Sequence, residues 1–368
     1  MTKIIHVTTV HRRNDIRIFQ KEVTTLSRHF QNVELVVNDG LGNALVDGIE
    51  ITDLGFKTTS RLSRFFKPFF ALLSLLKNKQ PDIVHFHDPE LMIMGIIMAF
   101  RGCSVIYDSH EDLAKDILDK VWIPKVLRRF LSASANIFEH VAIRFFTAVI
   151  FVIESQTSRL GFKKHIVLHN YPILSDYPEE ETVEAEPYFI HIGTLSVERG
   201  LREMLDATEL LPPEYSLHIV GKLSDEAFEI AREHPAWNRI TYTQWIDRKK
   251  LIPLIRKAIG GLLLFYPLPN MYNSSPNKLF EYMASGIPVI ASDFPVFREI
   301  LDKNECGLLV NPQEHRSVLD AMMQLIQNTK LRNTMGKNGI RAVRNFYSWE
   351  TESRKLIGLY SDILSGKG

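Results

Sequence analysis

The 368-residue chain is poor in cysteine, in long apolar segments and in net charge. Its two cysteines, Cys103 and Cys306, lie far apart, which gives neither a disulfide framework nor the spacing of a metal site. The longest apolar segments, 91–100 and 145–153, fall well short of the ~20 residues that span a bilayer. Charged residues are 24% and apolar residues 45% of the chain, which excludes a disordered protein. The net charge of +1 argues against a dedicated nucleic-acid binder, which needs a basic excess.

Several chemical motifs are also missing from the sequence. No G-x-G-x-x-G follows a strand, no G-x-x-x-x-G-K-[ST] is present and no G-x-S-x-G occurs. Dinucleotide-dependent oxidoreductases, P-loop NTPases and α/β-hydrolases are therefore disfavoured. His85 and His87 share one face of a predicted strand, but no H-E-x-x-H or cysteine cluster completes a metal site. We therefore expect no metal and no cofactor.

The first seven residues predict the start of a β-strand rather than a signal peptide. They lack the apolar core and the cleavage-like site of a signal peptide. This favours a cytoplasmic location. The neutral total hides an asymmetry, since residues 1–170 carry a net charge of +5 and the remainder −4. The stretch 57–79 has basic, aromatic and leucine side chains and no acidic residue, which favours an anionic membrane surface. The alternative is an ordinary core helix with a solvated basic end.

Short apolar, β-branched segments alternate along the chain with segments of helical period. This alternation predicts parallel sheets with helices on both faces. A polar segment rich in Glu and Pro at 171–187 predicts a linker between a domain at 1–170 and a second at 188–345, followed by a C-terminal helix in 346–368 that packs back on the first domain. The expected fold class is α/β, with two Rossmann-like, doubly wound parallel-sheet domains facing a cleft.

The most informative segment is 270–293. Pro276 is placed to start a helix that runs from Asn277 to Ser285 and stops at Gly286. Free amides near Asn277 and the helix dipole therefore predict an anion site, and Lys278 adds positive charge. Glu281 lies one turn further on, where it can accept hydrogen bonds from hydroxyl groups. A ligand with both phosphate and several hydroxyl groups fits these residues, and a nucleotide sugar is such a ligand. The alternative is an ordinary strand–helix connection with a capped helix.

A second segment, 188–200, agrees with the first. Gly193 follows a strand and lets the backbone approach a ligand closely. Arg199 stands at the head of a helix, where the dipole disfavours a cation, so a role as a phosphate clamp explains it better. The alternative is a solvated surface arginine.

The segment P-x-K-L-F-E-Y-M-A-S-G-I-P-V-I-A-S, the segment G-T-L-S-x-x-R-G, the later 305–312 and the ending F-Y-S-W-E together resemble the donor side of retaining GT-B glycosyltransferases of family 4, also called group 1. In the first half, 11–22, 81–90 and 105–111 also resemble family segments. The similarity covers the whole chain in the right order and is that of the bacterial surface-polysaccharide type.

The resemblance implies specific donor contacts. Glu281 matches the second glutamate of the family's E-x7-E motif, which holds the ribose hydroxyls, and Asn273 stands in place of the first. Arg199 matches the second of two cations that clamp the diphosphate, and Thr194 falls at the first, so Lys278 is expected to supply the missing charge. The donor-binding set is Gly193, Thr194, Arg199, Asn273, Asn277, Lys278 and Glu281.

The resemblance also assigns the reaction centre and the acceptor side. His110 matches the histidine that approaches the donor sugar, although it could instead be a structural histidine bonded to Asp108 or Glu111. Asp15 and Arg17 are expected to contact the acceptor, the alternative being a local ion pair at a helix start. The acceptor-side set is His11, Asp15, Arg17 and His87.

The implied activity is transfer of a hexosyl group, with retention, from a nucleotide sugar (UDP-linked by expectation) to a saccharide acceptor in O-antigen, capsule or exopolysaccharide biosynthesis. The basic stretch 57–79 suggests a lipid-linked acceptor and a peripheral position on the cytoplasmic face of the membrane. Two alternatives stay open: a nucleotide-sugar epimerase or hydrolase, and a non-catalytic sugar-nucleotide-binding protein.

Overall fold

The computed structural model describes most of the chain, in two compact units. One unit joins Met1–Asn170 to Glu352–Gly368, and the other is Tyr171–Thr351. We call them unit 1 and unit 2. The described residues are 2–56, 61–109 (backbone only at 61–66), 117–118, 123–152, 154, 157, 161, 164–177, 183–268, 271–272 and 274–366.

Unit 1 is built on a mostly parallel sheet. Among the described residues it has eight strands in the order β3-β4-β2-β1-β5-β6-β7-β8, and only β3 runs antiparallel to its neighbour. The central strands are buried and rich in Val and Ile, as expected when helices cover both faces, whereas the strands toward the two edges are partly exposed. They are β1 Ile4–Val7, β2 Val33–Val37, β3 Ala44–Val46, β4 Ile49–Asp53, β5 Ile83–Phe86, β6 Ser104–Ser109, β7 Ala148–Phe151 and β8 His165–Val167.

The helices of unit 1 include a π-helix, Ile16–Val23, which is N-capped by Asp15 and continues into α1. The others are α1 Thr24–Ser27, α2 Arg61–Lys79, α3 Met92–Ala99, α4 Lys125–Ala142 and short 3₁₀ turns at Pro89–Leu91 and Ile143–Phe145. The last helix of the chain, α12, spans Trp349–Leu364, and its Tyr360 is fully buried in unit 1.

Unit 2 contains an all-parallel sheet of six strands among the described residues, in the order β11-β10-β9-β12-β13-β14. Ile190 and Ile192 pack into one apolar cluster and Phe189 into another, because successive side chains point to opposite faces. Both faces are therefore covered. The strands are β9 Tyr188–Ile192, β10 Ser216–Val220, β11 Ile240–Thr243, β12 Gly261–Leu263, β13 Val289–Ser292 and β14 Gly307–Val310.

The helices of unit 2 follow its strands in alternation. Tyr171 and Tyr177, within the predicted linker, are buried in the core of this unit. The helices are α5 Leu201–Leu210, α6 Asp225–Glu233, α7 Arg248–Arg256, α8 Asn277–Ala284, α9 Pro295–Asn304, α10 His315–Gln327 and α11 Thr329–Phe346, with 3₁₀ turns at Leu174–Asp176, Val197–Arg199 and Pro235–Arg239.

Both sheets share the doubly wound strand order. In unit 2 the strands run third, second, first, fourth, fifth, sixth, and unit 1 repeats this order once the antiparallel β3 is left aside. Ligands of such sheets bind outside the carboxyl ends of the strands where the order reverses. That switch point lies between β1 and β5 in unit 1 and between β9 and β12 in unit 2. The predicted class of two doubly wound parallel-sheet domains is confirmed.

Candidate donor site in unit 2

The switch point of unit 2 brings together two of the predicted donor residues. Gly193 follows β9 with a φ of +82°, a conformation that L side chains rarely adopt. A Cβ atom at this position would lie 3.4 Å from Nζ of Lys278, so the ammonium group rests against the bare backbone. Gly193 and Thr194 are exposed, which leaves this corner open to a ligand.

Lys278 is held by a histidine from the interior of β9. Its Nζ lies 3.2 Å from Nε2 of the fully buried His191, whose Nδ1 lies 3.1 Å from the carbonyl oxygen of Leu262. Since Nδ1 donates to that carbonyl, Nε2 is free to accept from Lys278. Burial and the nearby ammonium group lower the pKa of His191, which keeps the imidazole neutral.

The electrostatics of this corner favour an anion. Burial, and then the positive charge of Arg199, lower the pKa of Lys278 to about 7, against the opposing effect of Glu281. Arg199 donates from Nη1 to the carbonyl oxygen of Thr194 at 2.8 Å, and its guanidinium carbon lies 5.7 Å from the ring centroid of Phe265. Two partly desolvated cations next to each other repel, and a bound diphosphate would relieve that repulsion.

Helix α8 begins at the same place. It starts at Asn277, directly after Pro276, whose side chain offers no hydrogen-bond acceptor to cap the first turn, and that turn contains no acidic residue. The helix dipole and the amides of its first turn add positive potential beside Lys278. The helix ends at Ala284, close to the predicted boundary, before Gly286 at a φ of +78°.

Glu281 is held by an arginine that the sequence reading did not single out. Nη1 of Arg248 lies 2.7 Å from Oε1 of Glu281, its Nε lies 2.9 Å from Oδ2 of Asp176, and its Nη2 donates to Oη of Tyr177 at 3.1 Å. Burial alone would lower the pKa of Arg248, but Tyr177 and Glu281 raise it. The Glu281 side chain is 19% exposed, so its carboxylate is both fixed and accessible.

Both residues missed in unit 2 had a signal in the sequence. His191 is the polar residue in an otherwise apolar, fully buried strand. Arg248 stands in the first turn of α7, where the helix dipole disfavours a cation. That is the argument which identified Arg199, and it applies equally to Arg248. Asn273, predicted to read the donor sugar, lies outside the described residues, as does His110.

The structure places two of the predicted acceptor-side residues in the interior of unit 1. Arg17 and His87 are 5% and 2% exposed, so neither side chain is available to a ligand at the surface of unit 1. Nε and Nη2 of Arg17 each lie 3.0 Å from Asp108, and Nη1 donates to the carbonyl oxygen of Leu168 at 2.9 Å. Arg17 therefore neutralises an interior carboxylate rather than forming the alternative local pair with Asp15.

His11 and Asp15 keep partly exposed side chains, at 35% and 29%. Asp15 Oδ1 accepts from the backbone amides of Arg17 and Ile18, both at 2.9 Å, and Oδ2 lies 3.6 Å from Nδ1 of His11. Burial would raise the pKa of Asp15, but the hydrogen bonds from His11 and from the amides lower it to about 2. Their contact with an acceptor stays a prediction.

Models of known families match both units of the chain. Residues 175–342 match the family model described as glycosyl transferases group 1, and residues 17–160 match glycosyltransferase family 4. The O-antigen chain mannosyltransferase RfbU of Salmonella typhimurium is 27% identical over 56% of each chain, so the match spans about half the length of that relative.

Two solved structures share the fold. Sucrose-phosphate synthase of Thermosynechococcus elongatus superposes with a TM-score of 0.78 at 16% identity and covers all of both chains. Anabaena HepE in complex with UDP-glucose superposes with a TM-score of 0.71 at 15% identity, over 98% of this chain and all of the other. At such identities the structural similarity shows only the fold, which is GT-B. The family is shown by the two family models, which together match residues 17–160 and 175–342. The chain belongs to the group 1, family 4 glycosyltransferases.

Proposed function

We propose that this protein transfers a hexosyl group, with retention, from a nucleotide sugar, UDP-linked, to a saccharide acceptor in surface-polysaccharide biosynthesis. The observation that carries the proposal is the corner at Gly193, where Lys278, Arg199 and the start of α8 converge beside the Arg248–Glu281 pair. A relative named as an O-antigen mannosyltransferase and a neighbour solved with UDP-glucose support the process and the donor class.

In this proposal the donor diphosphate lies against Lys278 and Arg199. Negative charge builds on the diphosphate as the bond to the sugar breaks, and preorganised cations and helix amides stabilise that charge. A bound diphosphate also returns Lys278 to its charged form, because an adjacent anion favours the ammonium ion. These groups supply the stabilisation themselves, so we expect transfer without added Mg²⁺ or Mn²⁺.

The ribose of the donor is assigned to Glu281. One oxygen of its carboxylate is engaged by Arg248, which leaves the other to accept from a vicinal diol. Arg248 acts as a positioning residue, because it fixes the carboxylate through Asp176 and Tyr177 without reaching the ligand itself. The acceptor hydroxyl then attacks from the face that the diphosphate leaves, and the departing phosphate assists its deprotonation.

A thermal-shift panel tests the donor class. UDP-glucose, UDP-N-acetylglucosamine, GDP-mannose and ADP-glucose are added to the purified chain, and binding is expected to raise the Tm by an amount that follows RT ln(1 + [L]/Kd). A UDP-sugar should give the largest shift, and Lys278→Ala should remove it. A shift that is equal for all bases, or that survives Lys278→Ala, would contradict the assignment of this corner. Release of nucleotide without any acceptor would favour the hydrolase alternative.

The acceptor is proposed to be lipid-linked and the protein to dock on an anionic membrane. Among the described residues no helix is both long and apolar enough to cross a bilayer. Helix α4, however, leaves large apolar side chains in solvent, with Val126 83%, Phe130 68% and Ile137 65% exposed. Residues 120–138 include no acidic side chain. An exposed apolar face with flanking cations favours an anionic lipid surface.

Helix α4 offers a second candidate surface besides the one predicted at 57–79, where residues 57–60 and the side chains of 61–66 lie outside the described residues. In the described part of α2, Leu72 and Leu76 are buried in the core and Lys79 is paired with Glu34 and Glu50, whereas Phe70 is 65% exposed. The exposed face of α4 therefore contributes more to the proposed docking surface than residues 67–79 of α2 do.

Flotation with vesicles tests the docking surface. Phe130→Glu combined with Ile137→Glu is expected to release the protein from phosphatidylglycerol vesicles, and Arg61, Arg64 and Lys67 replaced by Glu should weaken the same binding. Phe346→Glu is the matched control, because Phe346 is 60% exposed but lies in unit 2. Unchanged flotation of both unit 1 variants would contradict membrane docking and leave the donor assignment untouched.

A further inference from the structure

The interior of unit 1 contains a second cluster of chemically capable side chains, at the switch point between β1 and β5. His6 and His85 are register partners in these strands, and His87 follows two residues later on the same face. The π-helix adds Glu22. All four side chains are buried, and one ligand atom from each lies within 4.8 Å of all the others.

We infer that His6, Glu22, His85 and His87 form a closed structural site for Zn²⁺. Three imidazoles and one carboxylate supply four donor atoms, all of types that zinc accepts, and four donors complete a tetrahedral site. The inference is independent of the proposed transferase function, because none of the four residues lies in the donor corner.

The distances fit that coordination. Donor atoms around tetrahedral zinc, bound at about 2.0–2.1 Å, lie roughly 3.3 Å from one another. Nδ1 of His6 lies 3.2 Å from Nε2 of His87, and Oε2 of Glu22 lies 3.8 Å from Nε2 of His85 and 4.0 Å from Nε2 of His87. Shifts of less than ~1 Å would bring the four atoms to coordination distance.

The atoms that face the centre of the cluster include unsatisfied ones. Both carboxylate oxygens of Glu22 and Nε2 of His85 are buried. None of these three atoms has a hydrogen-bond partner among the described residues. Nε of Arg17 lies 3.1 Å from Oε1 of Glu22 as an ion-pair contact. Buried polar atoms without partners are costly, and metal coordination would satisfy Oε2 of Glu22 and Nε2 of His85 together.

The ring nitrogen of each histidine that faces away from the centre of the cluster contacts a second polar side chain. The hydroxyl of Tyr360 lies 2.8 Å from Nδ1 of His85 and 3.1 Å from Nε2 of His6, and Nδ1 of His87 lies 3.4 Å from Oδ2 of Asp108. Oriented imidazoles of this kind are the usual second layer of a metal site, since the outer hydrogen bond fixes which nitrogen keeps a lone pair for the metal. The phenol oxygen has two lone pairs and can accept from both histidines.

Charge is consistent with a bound cation. The single guanidinium of Arg17 faces both acidic side chains, Asp108 and Glu22, and a divalent ion bound to Glu22 would be a second cation in this interior.

The site would tie together parts of unit 1 that are distant in sequence. Its ligands come from β1, the π-helix and β5, and Tyr360 joins it to the final helix α12. Metal binding free energy is folding free energy when the unfolded chain offers no preformed site. The consequence is a dependence of unit 1 stability on zinc.

The test uses the full chain purified in chelator-treated buffer, mixed with ZnSO₄, desalted and assayed for metal by mass spectrometry. We expect about one zinc per chain, and a Tm rise of roughly 5–10 °C at a free zinc concentration about 100-fold above Kd. Co²⁺ in place of zinc should give the intense visible bands of a tetrahedral site. Less than a tenth of an equivalent of zinc, with no such bands, would overturn the inference and leave a hydrogen-bond network.

Variants locate the site. Glu22→Gln keeps the side-chain size and should weaken zinc binding at least ~100-fold, and Tyr360→Phe should weaken it by about 10- to 100-fold while leaving all four ligands in place. The matched control is His234→Gln in a more accessible second cluster with Asp206 and Glu209. Zinc lost on His234→Gln but retained on both other changes would place the ion at the surface and overturn the inference. The cobalt spectrum of the unaltered protein stands even if a variant fails to fold.

Discussion

The two units use the same place in the same topology in opposite ways. At the β9/β12 switch point, Gly193 and Thr194 are exposed and Lys278 and Arg199 lie against open backbone. At the β1/β5 switch point, polar side chains of comparable chemistry are sealed from solvent. Strand order fixes where a ligand can approach, and the residues that follow the strands decide whether the place stays open.

The closure of the unit 1 switch point has an identifiable cause. Asp88, directly after the buried His87, accepts from the hydroxyl of Thr8 at 3.1 Å and from the hydroxyl of Thr9 at 3.2 Å. These bonds join the residues after β5 to the residues after β1. In unit 2 the corresponding strand, β9, is followed by Gly193, which has no side chain to close the gap.

The largest expected effect comes from a substitution in the buried polar cluster of unit 1. Arg17→Met leaves Asp108 and Glu22 without their shared guanidinium, and an uncompensated buried charge typically costs about 3–5 kcal/mol. We expect the free energy of unfolding, measured by urea titration, to fall by that amount.

The control for Arg17→Met is Arg298→Met, because Arg298 pairs with Asp293 in full solvent and exposed pairs contribute little. Equal stability losses for the two variants would show that burial does not distinguish the ion pairs.

The second largest effect comes from a substitution at the solvent-accessible switch point of unit 2. Lys278→Ala should lower kcat/KM for the donor by about 10²–10³, since removal of one preorganised group that stabilises transition-state charge has that cost. Unfolding free energy should change little, because, within the part of the chain that the structure describes, no carboxylate is in hydrogen-bond contact with the ammonium group. The control is Lys249→Ala, an exposed lysine of α7. A normal rate for Lys278→Ala would move the diphosphate away from this corner.

A third prediction sharpens the donor site. Glu281→Gln removes the charge that Arg248 holds and that the ribose hydroxyls would bind. Hydrogen bonds to charged groups contribute about 1.5–3 kcal/mol, so UDP affinity measured by calorimetry should fall about 10- to 100-fold. Glu299→Gln, on the exposed side of α9, serves as the control. Unchanged UDP affinity would argue that Glu281 is only the structural partner of Arg248.

The smallest effect concerns pH. Lys278 has a pKa of about 7 in the free protein, and the diphosphate binds its charged form and raises that pKa. The affinity for UDP-glucose should therefore fall as pH rises, by about fivefold between pH 7 and 8. Lys278→Arg stays charged throughout and should flatten the profile. A profile that rises with pH, or that is the same in both proteins, would contradict the assignment.

Much of unit 2 could be predicted from the sequence because its signals are local. Alternating apolar segments predicted its strands, and Pro276 and Gly286 bounded α8 near the observed ends. Gly193 and Lys278 were identified from residues adjacent to them in the chain. Arg248 carried the same local signal as Arg199, a cation at a helix start, but its role depends on Asp176 and Glu281, which lie 72 and 33 residues away and which no local pattern links to it.

Unit 1 was harder to predict for the same reason. Its polar interior assembles His6, Glu22, His85 and Tyr360 from segments up to 354 residues apart. A search for contiguous metal motifs therefore found only His85 and His87. Arg17 was predicted to contact the acceptor, whereas its side chain is buried against Asp108, because a charged residue in a loop-to-helix segment gives no indication that its partner is an interior carboxylate.

By itself the sequence determined the fold class, the family and the donor-side motif, because these depend on periodicity and on residues that are neighbours along the chain. Only the tertiary structure decided which polar groups are open and which are sealed. The reason is physical: the pKa of Lys278, the fixing of Glu281 by Arg248 and the burial of the histidine cluster all depend on desolvation and on charges brought close by folding.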